Sequence, residues 1–346
     1  MKEKLEKAAS PIVSILLSFL CGAVVILLIG ENPFTAFAAL GRGAFGSALN
    51  ISNTIAKITT LSLCGLSYAF AYRCGLCNIG SEGQMYIGAL VASVVVLYMP
   101  GSGVVVIITA ICAGFLAAAL FGVLIALLKI HFGANEVITT VMFNYVAQYL
   151  VQWAVSGPIQ DPKSDAAQTV IFDKKYWIGN IPGTQIGIGF LIMLACLVFF
   201  GIFIWKTVAG FALQLVGRNR TAAAYAGISV NRNFCMSMFL AGGFGGLAGA
   251  VELLGVQHRL VKGMASNYGF DGIAVALLGE NHPVGMLLSG SLLGAMKSGG
   301  NAMQMFTKVP SSVVDLIRAM VVVFVLVDVV RRGVRSIHAA RRKQYA

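Results

Sequence analysis

The chain has 346 residues, 58% of them hydrophobic and only 11% charged, with 40 glycines, a net charge of +12 and a mean hydropathy of +0.84. A soluble domain carries about 25% charged residues, so this composition excludes a water-soluble fold, a disordered tail and a small disulfide scaffold alike. The cations fall between apolar blocks and at the C-terminus, where they carry topological meaning rather than the footprint of a nucleic-acid binder, and no nucleic-acid partner is expected.

At roughly 20 residues per span the length fits about ten transmembrane helices, an all-α polytopic membrane protein. A short charged start, 1–10, with Lys2, Lys4 and Lys7, precedes a first apolar block from Pro11 to Ile29. Ala36-Phe37-Ala38 resembles a cleavage site, but the block exceeds the usual signal core of about 7–15 residues, so an uncleaved first helix is expected. Further blocks run over Ile51 to Tyr72, Ile79 to Met99, Val104 to Leu128 and Glu136 to Val155, then Gln185 to Trp205 and Phe234 to Leu254. A short one follows at Tyr268 to Leu278, then Val284 to Met303 and Ser311 to Val330, giving a transmembrane region of 11–330 and a tail of 331–346.

The connections set direction, because Lys and Arg in short loops favour the cytoplasm. The 206–232 connection holds Lys206, Arg218, Arg220 and Arg232 without an acid, and the tail holds six cations without an acid, so both read as cytoplasmic. The 156–184 connection balances three Asp against three Lys and reads as an outside loop. With a cytoplasmic N-terminus, ten crossings satisfy every one of these signals. Nine or eleven do not.

Two blocks open with the same interruption. Asn78-Ile79-Gly80-Ser81-Glu82-Gly83-Gln84 starts the third, and Tyr268-Gly269-Phe270-Asp271-Gly272 the eighth, each with an acid between glycines. The two spans run in opposite directions, the pattern of an inverted 5+5 repeat whose broken helices line a pathway. The plainer alternative is that Glu82 and Asp271 are helix-start acids that bind nothing. Asn144, Gln148 and Gln152 recur every fourth residue on one face of the fifth span, either lining a path or bonding to neighbouring helices. Lys297 in the ninth span is a further candidate for the bundle interior. Asp315 and Arg318 pair by spacing, and the small-residue pairs Gly242/Gly246, Gly245/Gly249 and Gly290/Gly294 mark close helix contacts.

Cys74-Gly75-Leu76-Cys77 has the spacing of a metal or redox pair, but without a second pair or a nearby His it reads as chance, and no metal site is expected. A phosphate-binding loop, a zinc HExxH and a GxSxG elbow are all missing from the sequence, so the chain does not read as an enzyme. In the 206–232 loop, Thr221 or Asn219 can cap a short alanine-rich helix that Gly227 ends.

The string Gly217-x-Asn219-x-x-Ala222-Ala223-x-Tyr225-Ala226-Gly227-Ile228, the Asn78 to Gln84 stretch, and Gly272 to Gly279 followed by Asn281-His282-Pro283 resemble the branched-chain amino acid, ribose and nucleoside permease superfamily. The resemblance covers about residues 10 to 330 and is nearest to the longer permeases of bacterial nucleoside uptake systems. It implies the transmembrane subunit of an ATP-binding cassette importer in the cell membrane. ATP and magnesium would sit on a separate cytoplasmic ATPase, with no cofactor on this chain. It further implies a second permease, related or identical, and an extracellular lipid-anchored substrate-binding protein. Gly217 to Gly227 would be the element that couples to the ATPase, and a path would run past Asn78, Glu82, Gln84, Asn144, Gln148, Asp271 and Lys297. A nucleoside is the expected substrate, with a simple sugar as the alternative. An ion-coupled secondary transporter is the rival from another class. Cys77 departs from the family, which usually carries an aromatic there.

Overall fold

A computed structural model describes residues 2–181, 184, 186–265, 267–310 and 312–324 of the chain. Gln185 and Ser311, the expected starts of two blocks, the end of the tenth block and the basic tail lie outside them. Among the described residues the structure is helical, with two isolated antiparallel bridges and no strand.

Among the described residues, each expected block contains a helix. The first, α1 (Lys2–Leu28), begins inside the stretch read as a separate N-terminal segment. Next comes a helix that the sequence reading does not contain, α2 (Pro33–Phe45), whose axis is bent 119° from that of α1. Asn32 accepts from the Phe34 amide at 2.9 Å and Pro33 occupies the first turn, a strong start signal placed too soon after the apolar block to stand out. Its small face packs on later chain: a Cβ on Gly43 would lie 2.2 Å from that of Ala302.

Helix α3 (Ala48–Arg73) ends in a left-handed Gly75, φ +74°, with the Leu76 amide returning to the Ala71 carbonyl at 3.0 Å. Then follow α4 (Ser81–Tyr98), α5 (Gly103–Phe132), α6 (Glu136–Val155) and α7 (Gly189–Lys206). The 206–232 connection is itself helical, as α8 (Val208–Arg218) and α9 (Arg220–Tyr225). Helix α10 (Val230–Glu252) runs on into a π-helical turn, Leu253–Gln257, and α11 (Tyr268–Leu278), α12 (Pro283–Phe306) and α13 (312–324) complete the order.

By length and hydropathy, five helices among the described residues can cross a membrane, namely α3, α4, α5, α7 and α10 with its π turn; a sixth span results if α1 and α2 count as one bent span. The other blocks are short, like α11, or carry polar side chains, like α6 with Asn144, Gln148 and Gln152. The chain forms two compact units, one of the residues up to Thr54 with those from Leu292, the other of Ile55–Ser291.

The second unit is built on α4, α5 and α10. Glycines let their backbones meet: a Cβ on Gly246 would fall 2.6 Å from the Gly114 carbonyl oxygen, and one on Gly249 would fall 2.0 Å from that of Met85. Lipid offers no hydrophobic drive between helices, so this close backbone approach is what holds them. Phe70 stacks on Phe244 at 5.0 Å and meets Phe200 edge-on at 4.8 Å, joining α3, α10 and α7.

Candidate functional site

The first interruption folds back on the helix before it. After Arg73 the chain reverses, and Asn78 donates to the Ser67 hydroxyl at 3.1 Å. Ser67 lies six residues before the end of α3, about 9 Å back along its axis at 1.5 Å per residue, so α4 starts partway along α3 rather than at its end. Asn78 and Gln84, both fully buried, bond to each other at 3.0 and 3.3 Å, and Ser67 donates to Gln84 at 2.9 Å.

A helix start leaves amides without intrahelical partners, and burial makes that costly. Here α6 supplies them. Asn144 accepts from the Gly83 amide at 2.7 Å and donates to the Ile79 carbonyl at 3.0 Å, while the Thr140 hydroxyl accepts from the Ile79 amide at 3.3 Å. The Asn78 side chain takes the Gly80 amide at 3.0 Å. Asn78, Gln84 and Asn144, read from sequence as pathway residues, thus brace the broken backbone. Gln148 and Gln152 continue the same face of α6, half-buried.

The second interruption meets the first. Asn267 adopts a left-handed φ of +66° just ahead of α11. A Cβ on Gly269 would lie 2.7 Å from both the amide nitrogen and the Cβ of Glu82, and one on Gly272 would lie 2.5 Å from the Cβ of Cys64. The two helix starts therefore converge against the middle of α3, with Glu82 and Asp271, both half-buried, in their first turns. The positive ends of two helix dipoles meet there, an environment that favours an anion or the oxygen atoms of a neutral polar solute. Lys297 lies in the other compact unit, half-buried on α12.

Beside this junction lies a charged cluster that the sequence reading misses. Lys57 on α3 stands 3.5 Å from Glu252 and 2.5 Å from the Tyr268 hydroxyl, and Thr60 donates to the other Glu252 oxygen at 2.6 Å. Glu252 is completely buried, at the point where α10 passes into the π turn. The available signal was Lys57 itself, a lone cation inside the 51–72 apolar block.

At the other end of α3, Asn219 caps α9 by accepting from the Ala222 amide at 3.0 Å, and Gly227 ends it at φ +77°. Six residues long, this helix shows Tyr225 outward at 89% exposure, with Ala222 and Ala226 also exposed, while Ala223 is fully buried. Gly217 is an internal contact: its Cβ would fall 2.4 Å from the Arg73 carbonyl oxygen. On the 156–184 connection, the Thr169, Phe172 and Ile178 amides bond to the carbonyls of Leu260, His258 and Leu254 at 2.9 Å each, and Trp177 stacks flat on His258 at 3.7 Å. Burial holds His258 below the usual histidine range.

Long apolar helices, glycine-mediated contacts and a broken-helix junction define a multi-pass, all-α membrane transport subunit. The family described as "Branched-chain amino acid transport system / permease component" matches residues 50–326, and the chain belongs to it. It is 36% identical to the guanosine ABC transporter permease protein NupP of Bacillus subtilis, over 94% of each chain. It is 32% identical to the nucleoside ABC transporter permease protein NupB of Lactococcus lactis, over 94% of this chain and 93% of that one. Identity to the glucose ABC transporter permease protein TsgB13 of Haloferax volcanii is 28%, over 92% of this chain and 86% of that protein.

Proposed function

We propose that this chain is the permease subunit of an ATP-binding cassette importer that moves a nucleoside across the cell membrane. The observation that carries the reading is the 36% identity to a guanosine permease over 94% of both chains. A glucose permease is similar at 28%, which makes a simple sugar the second reading. The termini and the α8–α9 segment face the cytoplasm, and the 156–184 connection faces outward to receive a lipid-anchored binding protein. A second permease, related or identical, completes the path, and a cytoplasmic ATPase carries ATP and magnesium.

Tyr225, Ala222 and Ala226 form the face of α9 that meets the ATPase, and Asn219 and Gly227 fix its two ends. Movement of that face reaches α3 through Gly217, which lies against the Arg73 to Gly75 turn. The junction of Glu82 and Asp271 presents helix-start dipoles to a neutral solute, with Gln148 as a further polar group on α6. Asn78, Gln84 and Asn144 hold the junction's shape. Uptake of labelled guanosine and of labelled glucose by cells that gain or lack this chain with its partner subunits tests the substrate. Guanosine uptake that follows the chain supports the reading, and glucose uptake alone replaces it with the second.

A further inference from the structure

Where α3 ends, a cavity of about 560 Å³ opens among Tyr72, Arg73, Cys77, Glu136, Gln214 and Arg218. Two guanidiniums line it, and Glu136 is the one acid among its lining residues. That acid is engaged elsewhere, since its carboxylate lies 2.5 Å from the Lys129 ammonium. The cavity is left with uncompensated positive charge. Gln214 is likewise committed, donating to the Ile204 carbonyl at 2.7 Å.

Arg73 is held in place rather than loose. Its guanidinium lies 5.1 Å over the Trp205 ring and donates to the Asn281 carbonyl at 2.8 Å, while its Nε is buried with no hydrogen-bond partner. A planar guanidinium fixed in place, beside a second, exposed arginine, matches the geometry of phosphate recognition. Tyr68 and Tyr72, stacked at 5.9 Å, add an aromatic wall.

We propose that this cavity binds a phosphate ester, through Arg73 and Arg218. The two sources of that chemistry are the headgroup of an anionic lipid of the inner leaflet and a free phosphorylated solute of the cytoplasm. The inner placement rests on the topology proposed above. Gly217, one residue before Arg218, touches the turn after Arg73, so a ligand bridging the two arginines clamps α8 and the base of α9 onto α3. The site thereby regulates how freely the coupling segment moves.

Calorimetric titration of the purified transporter complex in neutral detergent tests this, with three probes: short-chain phosphatidylglycerol, guanosine monophosphate and inorganic phosphate. Arg218→Gln is expected to weaken binding by about tenfold or more, and Arg232→Gln, on the same loop but outside the cavity, is expected to leave it unchanged. Arg218 and Arg232 are both exposed, so neither change disturbs a core. Saturable binding that Arg218→Gln weakens, seen with the lipid alone, assigns the site to a headgroup, and the same Arg218-dependent binding of either soluble probe assigns it to a free phosphate. The proposal is overturned if all three probes fail to saturate, if Arg218→Gln binds as the parent does, or if Arg232→Gln weakens binding equally. Guanosine uptake is measured separately, so a parent protein that binds none of the three probes yet transports guanosine rejects this site and leaves the transport reading standing.

Discussion

The Lys57 ammonium lies 3.5 Å from the carboxylate of Glu252, 195 positions later in the chain, and the carboxylate has no contact with solvent. Together with Thr60 and Tyr268 the pair ties α3, the π turn of α10 and the start of α11 into one polar knot.

Removing one partner of such a pair leaves a buried charge uncompensated, a loss of about 3–5 kcal/mol. Glu252→Leu is therefore expected to lower the apparent Tm strongly, and the double change Lys57→Met with Glu252→Leu to recover most of that loss. Thermal unfolding of the three purified proteins checks it. A single variant as stable as the parent would show that the knot holds nothing.

Asn144 and Gln148 sit one helical turn apart but are expected to behave differently. Asn144→Ala strips partners from the Gly83 amide and the Ile79 carbonyl, at about 1–3 kcal/mol for each group left unsatisfied. Gln148→Ala is expected to leave stability within about 0.5 kcal/mol and to change uptake instead. Tm and uptake measured on both variants separate bracing from path lining, and equal losses of stability would contradict the assignment.

Tyr225 and Ala223 divide the segment proposed to meet the ATPase in the same way. Tyr225→Ala removes an exposed ring and is expected to weaken ATPase co-purification with Tm unchanged. Ala223→Asp places a carboxylate in a fully buried position and is expected to lower Tm by itself. ATPase capture that survives Tyr225→Ala intact would place the contact elsewhere.

His258 predicts a pH dependence of the 156–184 connection. Its folded-state value is depressed by burial, so the detached loop takes up a proton more readily than the docked one. Docking of Trp177 on His258 is fully present above the ordinary histidine value of about 6.5 and is lost as pH falls below it. Protection of the 169–178 amides, taken relative to the intrinsic exchange rate at each pH, should fall between neutral and mildly acidic pH, and His258→Phe should remove that change. Protection that stays constant across this range would contradict it.

Most of the helices were legible because uninterrupted apolar blocks admit little else, and the turns at Gly75 and Gly227 follow from glycine at helix ends. The interruptions were legible too, as glycine flanking Glu82 and Asp271. Their meeting was not, since nothing local records that Gly269 must lie against Glu82. The sequence leaves Asn144 open between two roles for a related reason: a polar side chain in a span looks the same whether it faces a path or a neighbour's unpaired amide 61 residues away. Ala223 pointing inward depends on how a six-residue helix docks, which spacing alone does not fix. Lys57 was overlooked because its partner is distant in sequence, although an isolated cation among apolar residues is a signal in its own right.

The transport reading is tested most directly by accumulation of labelled guanosine in proteoliposomes containing this chain with the proposed second permease, ATPase and binding protein. Accumulation is expected to require ATP and the ATPase and to survive a proton uncoupler. Accumulation that persists without the ATPase and collapses with the uncoupler would make the chain an ion-coupled carrier, with Glu82 or Asp271 as the proton site.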